Sequence, residues 1–365
     1  MTTAYYLIPG AMLPEHAARE TLASLPDAVR AGLERIGAGR ETPAFQWLSE
    51  PLHEYSPHRA WLWKVLTHRR GAPVTAPYLW IADGGPKLDL EFWALSPWRI
   101  DEGGRFAPLA LPEEALPAAA CALERVFTSR GLRLTISGTR LFVTSRRALD
   151  LDARPVRDLC GMDASHVPHL PHLMRGKDAQ LAAEALEEAR AALRGALSGR
   201  PEAEALGGLW LSGGGFAEPV FPPSTFRSVV SDDPVTLAWA EISGIPRSAL
   251  GALRGRSAWP AAPEGDRIVV LQDLYGPWLA GDFRAWAAAL PSLIERLEAW
   301  RALEKAAKID ESAVVLFGRG GASTLMPEKR GALSFFRRPA QQPPESWLVD
   351  PGPRAAQASG EEASR

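Results

Sequence analysis

Short apolar runs alternate along this chain with longer segments in which apolar residues recur every three or four positions. Short runs bounded by glycine, proline or aspartate are typical of buried strands, and the longer segments are typical of amphipathic helices. The runs predict strands at residues 4–8, 208–212, 226–230, 267–271 and 313–317, and the longer segments predict helices at residues 14–38, 176–199, 234–242 and 282–306. Because parallel strands need long crossover connections, this order predicts an α/β fold with a mixed, mostly parallel sheet flanked by helices.

Part of the N-terminal half has a different pattern. Residues 57–67 and 111–129 predict helices, residues 77–82 and 87–95 predict strands, and residues 132–136 and 140–144 predict a hairpin with a three-residue loop. A hairpin is a local antiparallel pair, so these segments predict a smaller α+β region inserted in the N-terminal half.

Length and composition suggest how these elements are grouped. A chain of 365 residues is long enough for two lobes. We expect residues 1–150 to hold the first strand and helix with the α+β region, residues 151–175 to form a connector, and residues 176–338 to complete the sheet, with 333–336 as a further candidate strand. Residues 339–365 are rich in proline, glutamine, serine and glutamate and predict a disordered tail, in which residues 347–349 could dock locally.

The predicted strand at 208–212 runs into three consecutive glycines, and this stretch is the first candidate for the rim of a binding crevice. Glycine permits positive φ and close approach of other groups. Ser212, Gly213, Gly214 and Gly215 are therefore candidate ligand contacts, although the same residues also fit a plain turn after a buried strand.

Two further candidate ligand contacts follow other predicted strands. Asp232 is a candidate metal ligand, and Arg319 beside backbone N–H groups suits an anion, although a turn with a solvated arginine is the alternative. Asp233 is expected to cap the next helix. Neither glycine-rich segment has the spacing of a dinucleotide-binding motif, so we expect no such cofactor and assign no catalytic residue.

Bulk composition excludes several classes of partner. The formal net charge is −2, whereas phosphate-backbone binding needs a basic surface, so we expect no nucleic-acid partner. No apolar run reaches the roughly 18–20 residues of a membrane span, and residues 1–10 do not match a signal peptide. We therefore expect a cytoplasmic protein with no membrane partner, in which Cys121 and Cys160 are free thiols in buried or semi-buried segments.

Thirteen tryptophans are an unusual feature of the composition. Tryptophan buries a large area, so the pattern predicts core anchors, and a stacking surface for bases or sugars is the alternative.

His166, His169 and His172 recur every third residue and raise the possibility of a metal site. Pro168 and Pro171 favour polyproline II, in which residues three apart are separated by roughly 9 Å. One zinc ion cannot bridge that spacing, so the cluster predicts a solvated or packed connector, and we expect no metal.

Residues 209–215, with the helix that begins at Gly176-Lys177-Asp178-Ala179 and with Ser231-Asp232-Asp233-Pro234, resemble the RpfE-type regulatory proteins of proteobacteria. That family is described as related to cofactor-independent phosphoglycerate mutase in the alkaline phosphatase superfamily. The resemblance implies a bacterial protein on a phosphatase-superfamily scaffold.

The mutases of that superfamily use an aspartate and a serine nucleophile after early strands, together with Asp and His pairs that hold two metals. This chain has Pro9-Gly10 in place of the first carboxylate and has no Asp-x-His pair. The resemblance therefore implies a degenerate site in a regulatory or ligand-sensing protein whose small-molecule or protein partner is unknown. A phosphoryl-transfer enzyme of mutase type is the first alternative, and a tryptophan-rich carbohydrate or nucleotide binder is the second.

Overall fold

The structure is a computed structural model that describes residues 2–41, 44–47, 56–69, 72–153, 159, 174–218, 221, 224–248, 264–319, 321–327 and 342–350. The strands are β1 (Thr3–Ile8), β2 (Leu13–Pro14), β3 (Ala44–Trp47), β4 (Glu91–Ile100), β5 (Phe106–Pro108), β6 (Arg133–Ser137), β7 (Arg140–Ser145), β8 (Gly208–Phe216), β9 (Phe226–Val230), β10 (Arg247–Ser248), β11 (Asp266–Val270), β12 (Glu311–Phe317), β13 (Gly321–Leu325) and β14 (Val349–Asp350). The helices are α1 (Glu15–Ala23), α2 (Asp27–Gly37), α3 (Pro57–Thr67), α4 (Ala76–Ala82), α5 (Leu116–Thr128), α6 (Ala179–Ala196), α7 (Pro201–Ala205), α8 (Pro234–Ile242), α9 (Tyr275–Leu279) and α10 (Phe283–Ala302).

The chain forms two compact units. Met1–Gly71 and Phe221–Arg365 make up the first, which we call the parallel-sheet unit, and Ala72–Val220 make up the second, which we call the antiparallel-sheet unit. The domain boundaries expected at residues 150 and 176 both fall inside the antiparallel-sheet unit.

The parallel-sheet unit is built on a seven-stranded sheet with the order β10-β9-β11-β1-β12-β13-β3. The five strands from β10 to β12 are parallel, and β13 and β3 run antiparallel to their neighbours. This arrangement confirms the expected α/β class with a mixed, mostly parallel sheet. The N-terminal strand β1 lies in the middle of the sheet, between two strands from the last third of the chain.

Helices cover both faces of this sheet. Consecutive residues of a strand point to opposite faces, so each face has side chains against which a helix packs. Tyr6 and its even-numbered neighbours pack with Trp286 and Leu290 of α10 in one apolar core. Tyr5 points to the other face, where its ring lies 6.3 Å from that of Trp61 on α3. The sheet is therefore the middle of three layers.

The antiparallel-sheet unit has a sheet of five strands. Strand β4 pairs with β5, β7 and β8, and β6 extends the sheet beyond β7. Helices α5 and α6 pack against each other over one face and share a core with Trp93, Leu95 and Leu141 of the sheet. This unit corresponds to the small region of strands and helices expected from the N-terminal half, extended by residues up to 220.

The strand predicted at 77–82 is wrong, because these residues form helix α4. A six-residue apolar run fits either period, and Pro77 in the first turn fixes a helical φ. The amides of Tyr78 and Leu79 both donate to the carbonyl of Thr75, at 3.1 and 2.9 Å, which starts the helix. The predicted hairpin does form, but Ser137 pairs with Arg140, so its loop has two residues rather than three.

The predicted strand at 208–212 exists but belongs to the antiparallel sheet and continues through all three glycines to Phe216. The expectation of a glycine turn is therefore wrong. Pairing with β4 causes the difference, because a register irregularity opposite Trp93 absorbs the extra residue of the glycine run.

Residues 342–350 do not follow the disorder expected after residue 338. Trp347 and Leu348 are 2% and 1% exposed in the main core, and β14 pairs in parallel with β2. Burial of these two apolar side chains is enough to order the segment despite the polar residues around it. The expected local docking of 347–349 is confirmed.

The remaining composition-based expectations have mixed outcomes. Cys121 is a free thiol, as expected, but it is exposed rather than buried, and Cys160, the candidate strand at 333–336 and most of the expected connector lie outside the described residues. Among the residues whose burial the structure describes, tryptophan side chains are core anchors at eight positions: Trp63, Trp93, Trp98, Trp210, Trp239, Trp286, Trp300 and Trp347. Within the described ranges, no helix is long and apolar enough to cross a membrane.

Candidate functional site at the carboxyl edge of the parallel sheet

The predicted contacts Asp232 and Arg319 do lie at the carboxyl ends of parallel strands, after β9 and β12. Both side chains are exposed. Strands β11 and β1 separate β9 from β12, so three strand spacings of about 4.8 Å put roughly 14 Å between the two positions. The two residues share an edge of the sheet without adjoining each other.

The other predicted contacts form a closed packing arrangement within the antiparallel-sheet unit. Ser212 is 4% exposed, and the amide of Thr75 donates to the carbonyl of Gly213 at 3.0 Å. A Cβ on Gly214 would overlap the indole of Trp93, and a Cβ on Gly215 would lie 2.7 Å from a methyl group of Val74. The glycines are required here by neighbouring side chains that already fill the space beside the strand.

The carboxyl edge of the parallel sheet carries a buried polar cluster that the sequence did not single out. Ser56 precedes α3 and has left-handed backbone angles, with φ of 53°. Its hydroxyl lies 2.7 Å from the hydroxyl of Tyr275, at the start of α9. The ring of His58 packs edge-on against Tyr275 at 4.6 Å between centroids, and His58 is 1% exposed. A serine held in this conformation is uncommon, and such strain concentrates at functional sites.

Asp233 and Arg59 form a buried ion pair in the same unit. Arg59 donates from Nη2 to Oδ1 of Asp233 at 2.9 Å, and the side chains are 11% and 2% exposed. Thr236 donates to Oδ2 from its amide at 3.1 Å and from its hydroxyl at 2.7 Å. This confirms Asp233 as the cap of α8 and occupies both of its oxygens.

The pKa of Asp233 is the net result of opposing effects. Burial raises the pKa, while the charge of Arg59, the hydrogen bonds from Thr236 and the nearby imidazole of His58 lower it. The lowering effects win, so the pKa lies below its usual value and the carboxylate stays ionised at neutral pH.

The end of the central strand β1 is covered by aromatic side chains. Trp286 donates from its indole nitrogen to the carbonyl of Gly10 at 2.8 Å, and Trp278 donates to the carbonyl of Met12 at 2.9 Å. Gly10 has φ of 71°, and a Cβ there would lie 2.8 Å from Cβ of Trp278. A side chain longer than hydrogen therefore does not fit at this position.

Asp350 fills the anion position that the sequence suggested beside Arg319. The amide of Arg319 donates to Oδ2 of Asp350 at 2.7 Å, and Asp350 is 6% exposed. Gly318 gives this carboxylate room, because a Cβ on Gly318 would overlap Oδ2. The anion bound at the end of β12 is thus the chain's own carboxylate.

No metal-binding group of three or more His, Cys, Asp or Glu side chains occurs in the part of the chain that the structure describes. His166, His169 and His172 lie outside the described residues. Gly10, which follows β1, has no side chain that could act as a ligand, and Trp278 packs against it. The described residues of this edge therefore do not supply the set of Asp and His side chains with which the mutases of that superfamily hold two metals.

Sequence reasoning missed Ser56, His58 and Tyr275. A serine followed by proline before an apolar helical run is an N-cap signal, so Ser56 was recognisable as a helix start. Its partner Tyr275 is 219 residues away, and neither that contact nor the left-handed backbone has a local signal.

Comparisons with known proteins leave the function to be argued from these residues. No family model matches the chain, and no curated protein matches it. Similar solved structures include a cofactor-independent phosphoglycerate mutase from Thermoplasma acidophilum DSM 1728, with a TM-score of 0.41 and 12% identity over 96% of this chain and 95% of that chain. The PH0037 protein from Pyrococcus horikoshii has a TM-score of 0.41 and 12% identity over 94% of this chain and 91% of its own.

Proposed function

We propose that this chain is a regulatory or ligand-sensing protein on a phosphatase-superfamily scaffold, of the RpfE type, and that it does not catalyse phosphoryl transfer. One observation carries the proposal: the chain's own groups occupy the carboxyl edge of the parallel sheet. Arg59 and Thr236 occupy Asp233, Asp350 occupies the amide of Arg319, and aromatic rings cover the end of β1.

A carboxylate whose oxygens are already bound by neighbouring side chains is poorly suited to catalysis. A catalytic carboxylate must exchange protons or metal with its surroundings, whereas a buried carboxylate that accepts an ion pair and two further hydrogen bonds is fixed. Asp233 is of the second kind. The edge can still bind a ligand that displaces Asp350, because that contact belongs to a two-residue strand near the C-terminus.

The first alternative, a phosphoryl-transfer enzyme of mutase type, is favoured by Ser56. Its hydroxyl lies at the N-terminus of the 11-residue helix α3, where the helix dipole favours a phosphate.

The second alternative, a tryptophan-rich binder, is disfavoured by the eight buried tryptophans. Titration of the intrinsic fluorescence with sugars and nucleotides tests it, and quenching by one of them would revive it.

Metal content and hydrolysis distinguish the proposal from the first alternative. The purified chain is dialysed against Mn²⁺, Zn²⁺ or Mg²⁺, its bound metal is measured by mass spectrometry, and hydrolysis of p-nitrophenyl phosphate is followed. We expect less than one tightly bound ion per chain and the same residual rate for wild type and Ser56→Ala. Two bound ions with a rate that Ser56→Ala abolishes would establish the enzyme instead.

A further inference from the structure

A cavity of about 360 Å³ opens beside the last turn of α3, and its lining residues are Lys64, Val65, His68, Thr225 and Phe226. This volume lies within the range of small-molecule sites, roughly 300–1,000 Å³. Thr225 and Phe226 lie at the amino end of β9, so the cavity is at the edge of the parallel sheet opposite to Asp233. It is therefore separate from the polar cluster described above.

The inner wall of the cavity is apolar and rigid. Phe226 is 6% exposed, and its ring packs edge-on against Tyr5 at 5.5 Å and against Trp61 at 6.1 Å. Val65 follows Trp61 by four residues and therefore lies on the same face of α3. An aromatic wall held by two further rings suits a flat apolar group.

The rim of the cavity carries the ammonium group of Lys64 and the imidazole of His68, both of which can donate a hydrogen bond. Lys64 lies in the last turn of α3, His68 caps the helix four residues later, and both are exposed. The cap has φ of 57° and ψ of 18°, left-handed angles that are uncommon outside glycine, asparagine, aspartate and histidine. Asp266, which pairs in register with Phe226, accepts the amide of Thr3 at 2.9 Å. That nearby carboxylate is thus committed to the backbone.

We propose that this cavity binds a small organic anion with a flat apolar group, such as an aryl phosphate or aryl carboxylate. The anionic group lies between Lys64 and His68, and the apolar group packs against Phe226 and Val65. Thr225 supplies a hydroxyl at the mouth. The site does not depend on the proposed absence of catalysis, because its residues and its test are independent of the carboxyl edge.

The test is a ligand-observed ¹⁹F NMR titration of the full chain with 4-fluorophenyl phosphate. Two reference compounds separate the contributions, since inorganic phosphate carries only the charge and 4-fluorobenzyl alcohol carries only the ring. We expect 4-fluorophenyl phosphate to bind at least about fivefold more tightly than either, because the two contacts add.

Variants locate the binding. Lys64→Gln removes the ammonium group and His68→Asn removes the imidazole, and asparagine tolerates the left-handed backbone at position 68. We expect each to weaken binding by at least about threefold, and Thr225→Trp, which fills the mouth and keeps Lys64 and His68, to weaken it by at least about tenfold. Lys305→Gln, an exposed lysine remote in sequence, is the matched control and should bind as wild type. Far-UV circular dichroism confirms folding of each variant.

The proposal is overturned if wild type shows no saturable change at concentrations up to about 10 mM. It is also overturned if the alcohol binds as tightly as the phosphate, or if folded Thr225→Trp and the double variant Lys64→Gln/His68→Asn both bind as wild type.

Discussion

Arg59 and Asp233 are 174 residues apart in sequence and form an ion pair of 2.9 Å in which the carboxylate side chain is 2% exposed. Removing one partner of such a pair leaves a buried charge and is far more destabilising than the pair itself is stabilising. The pair therefore gives a measurable prediction for both stability and its pH dependence.

We expect Arg59→Leu to lower the free energy of unfolding at pH 7 by about 3–5 kcal/mol, measured by urea denaturation. Adding Asp233→Asn should recover part of the loss, because a neutral side chain keeps an acceptor for Thr236. A loss below about 1 kcal/mol in Arg59→Leu would show that the pair behaves like an exposed one.

The pH dependence of the free energy of unfolding should also have a different sign in Arg59→Leu than in wild type. In wild type the pKa of Asp233 is lowered, so its contribution is present above the ordinary aspartate pKa and disappears as the pH falls through the folded-state value. Removing Arg59 takes away the largest effect that lowers the pKa and leaves burial, which raises it, so we expect the pKa of Asp233 to rise in Arg59→Leu. The stability of Arg59→Leu relative to wild type should then improve between pH 7 and pH 5. A constant difference would contradict this.

Glu91 gives the opposite pH dependence within the antiparallel-sheet unit. It is 4% exposed, and burial raises its pKa although the amide of Leu149 donates to the carboxylate at 2.9 Å and the charge of Arg147 acts in the opposite direction. A raised pKa means that stability is fully present below the ordinary glutamate pKa and is lost as the pH rises through the folded-state value. We expect Glu91→Gln to gain stability relative to wild type as the pH rises from 4 to 7. Glu184→Gln, on the exposed face of α6, is the control and should show no trend.

Gly214 should be intolerant of even the smallest side chain. A Cβ there would overlap the indole of Trp93, so Gly214→Ala must shift a ring that is 3% exposed. We expect a loss of about 1–3 kcal/mol in urea denaturation, the usual cost of overpacking. Gly195→Ala is the matched control, because Gly195 lies in α6 with nothing within 4 Å of its Cβ position. That variant should gain about 0.5–1 kcal/mol; equal effects in both would refute the packing argument.

The C-terminal segment should contribute to the stability of the parallel-sheet unit. Trp347 is 2% exposed and donates from its indole to the carbonyl of Gln342 at 3.2 Å. We expect Trp347→Ala to cost about 3–5 kcal/mol, measured by thermal and urea unfolding. Glu345→Ala removes only an exposed ion pair with Arg30 and should cost less than about 1 kcal/mol. If both variants behave alike, the segment is not part of the folded core.

Local patterns predicted the elements of the parallel-sheet unit well. Strand β12 contains a continuous apolar run, and the apolar residues of α10 recur every three or four positions throughout the helix. Both elements were therefore recognisable from local sequence alone. The same reasoning failed for 77–82, where six residues are too few to separate the two periods and Pro77 was the better guide.

Long-range pairing accounts for what the sequence could not predict. Strand β8 joins β4 across more than a hundred residues, and this contact decides that Gly214 faces Trp93 rather than a ligand. The polar cluster at Ser56 has the same origin, because Tyr275 comes from the far end of the chain. Residue types indicated neither contact, since glycine and serine are common in turns.

The position of β1 has a consequence for synthesis of the chain. Both neighbours of β1 in the sheet come from residues 266–317, so β1 has no partner in the sheet until those later residues have been made. The antiparallel-sheet unit is continuous from residue 72 to residue 220 and has its own core, so we expect it to fold while β1 is still unpaired. During that interval the apolar residues of β1 are a natural target for chaperones, and a release of the chain before residue 317 would leave the central strand unpaired.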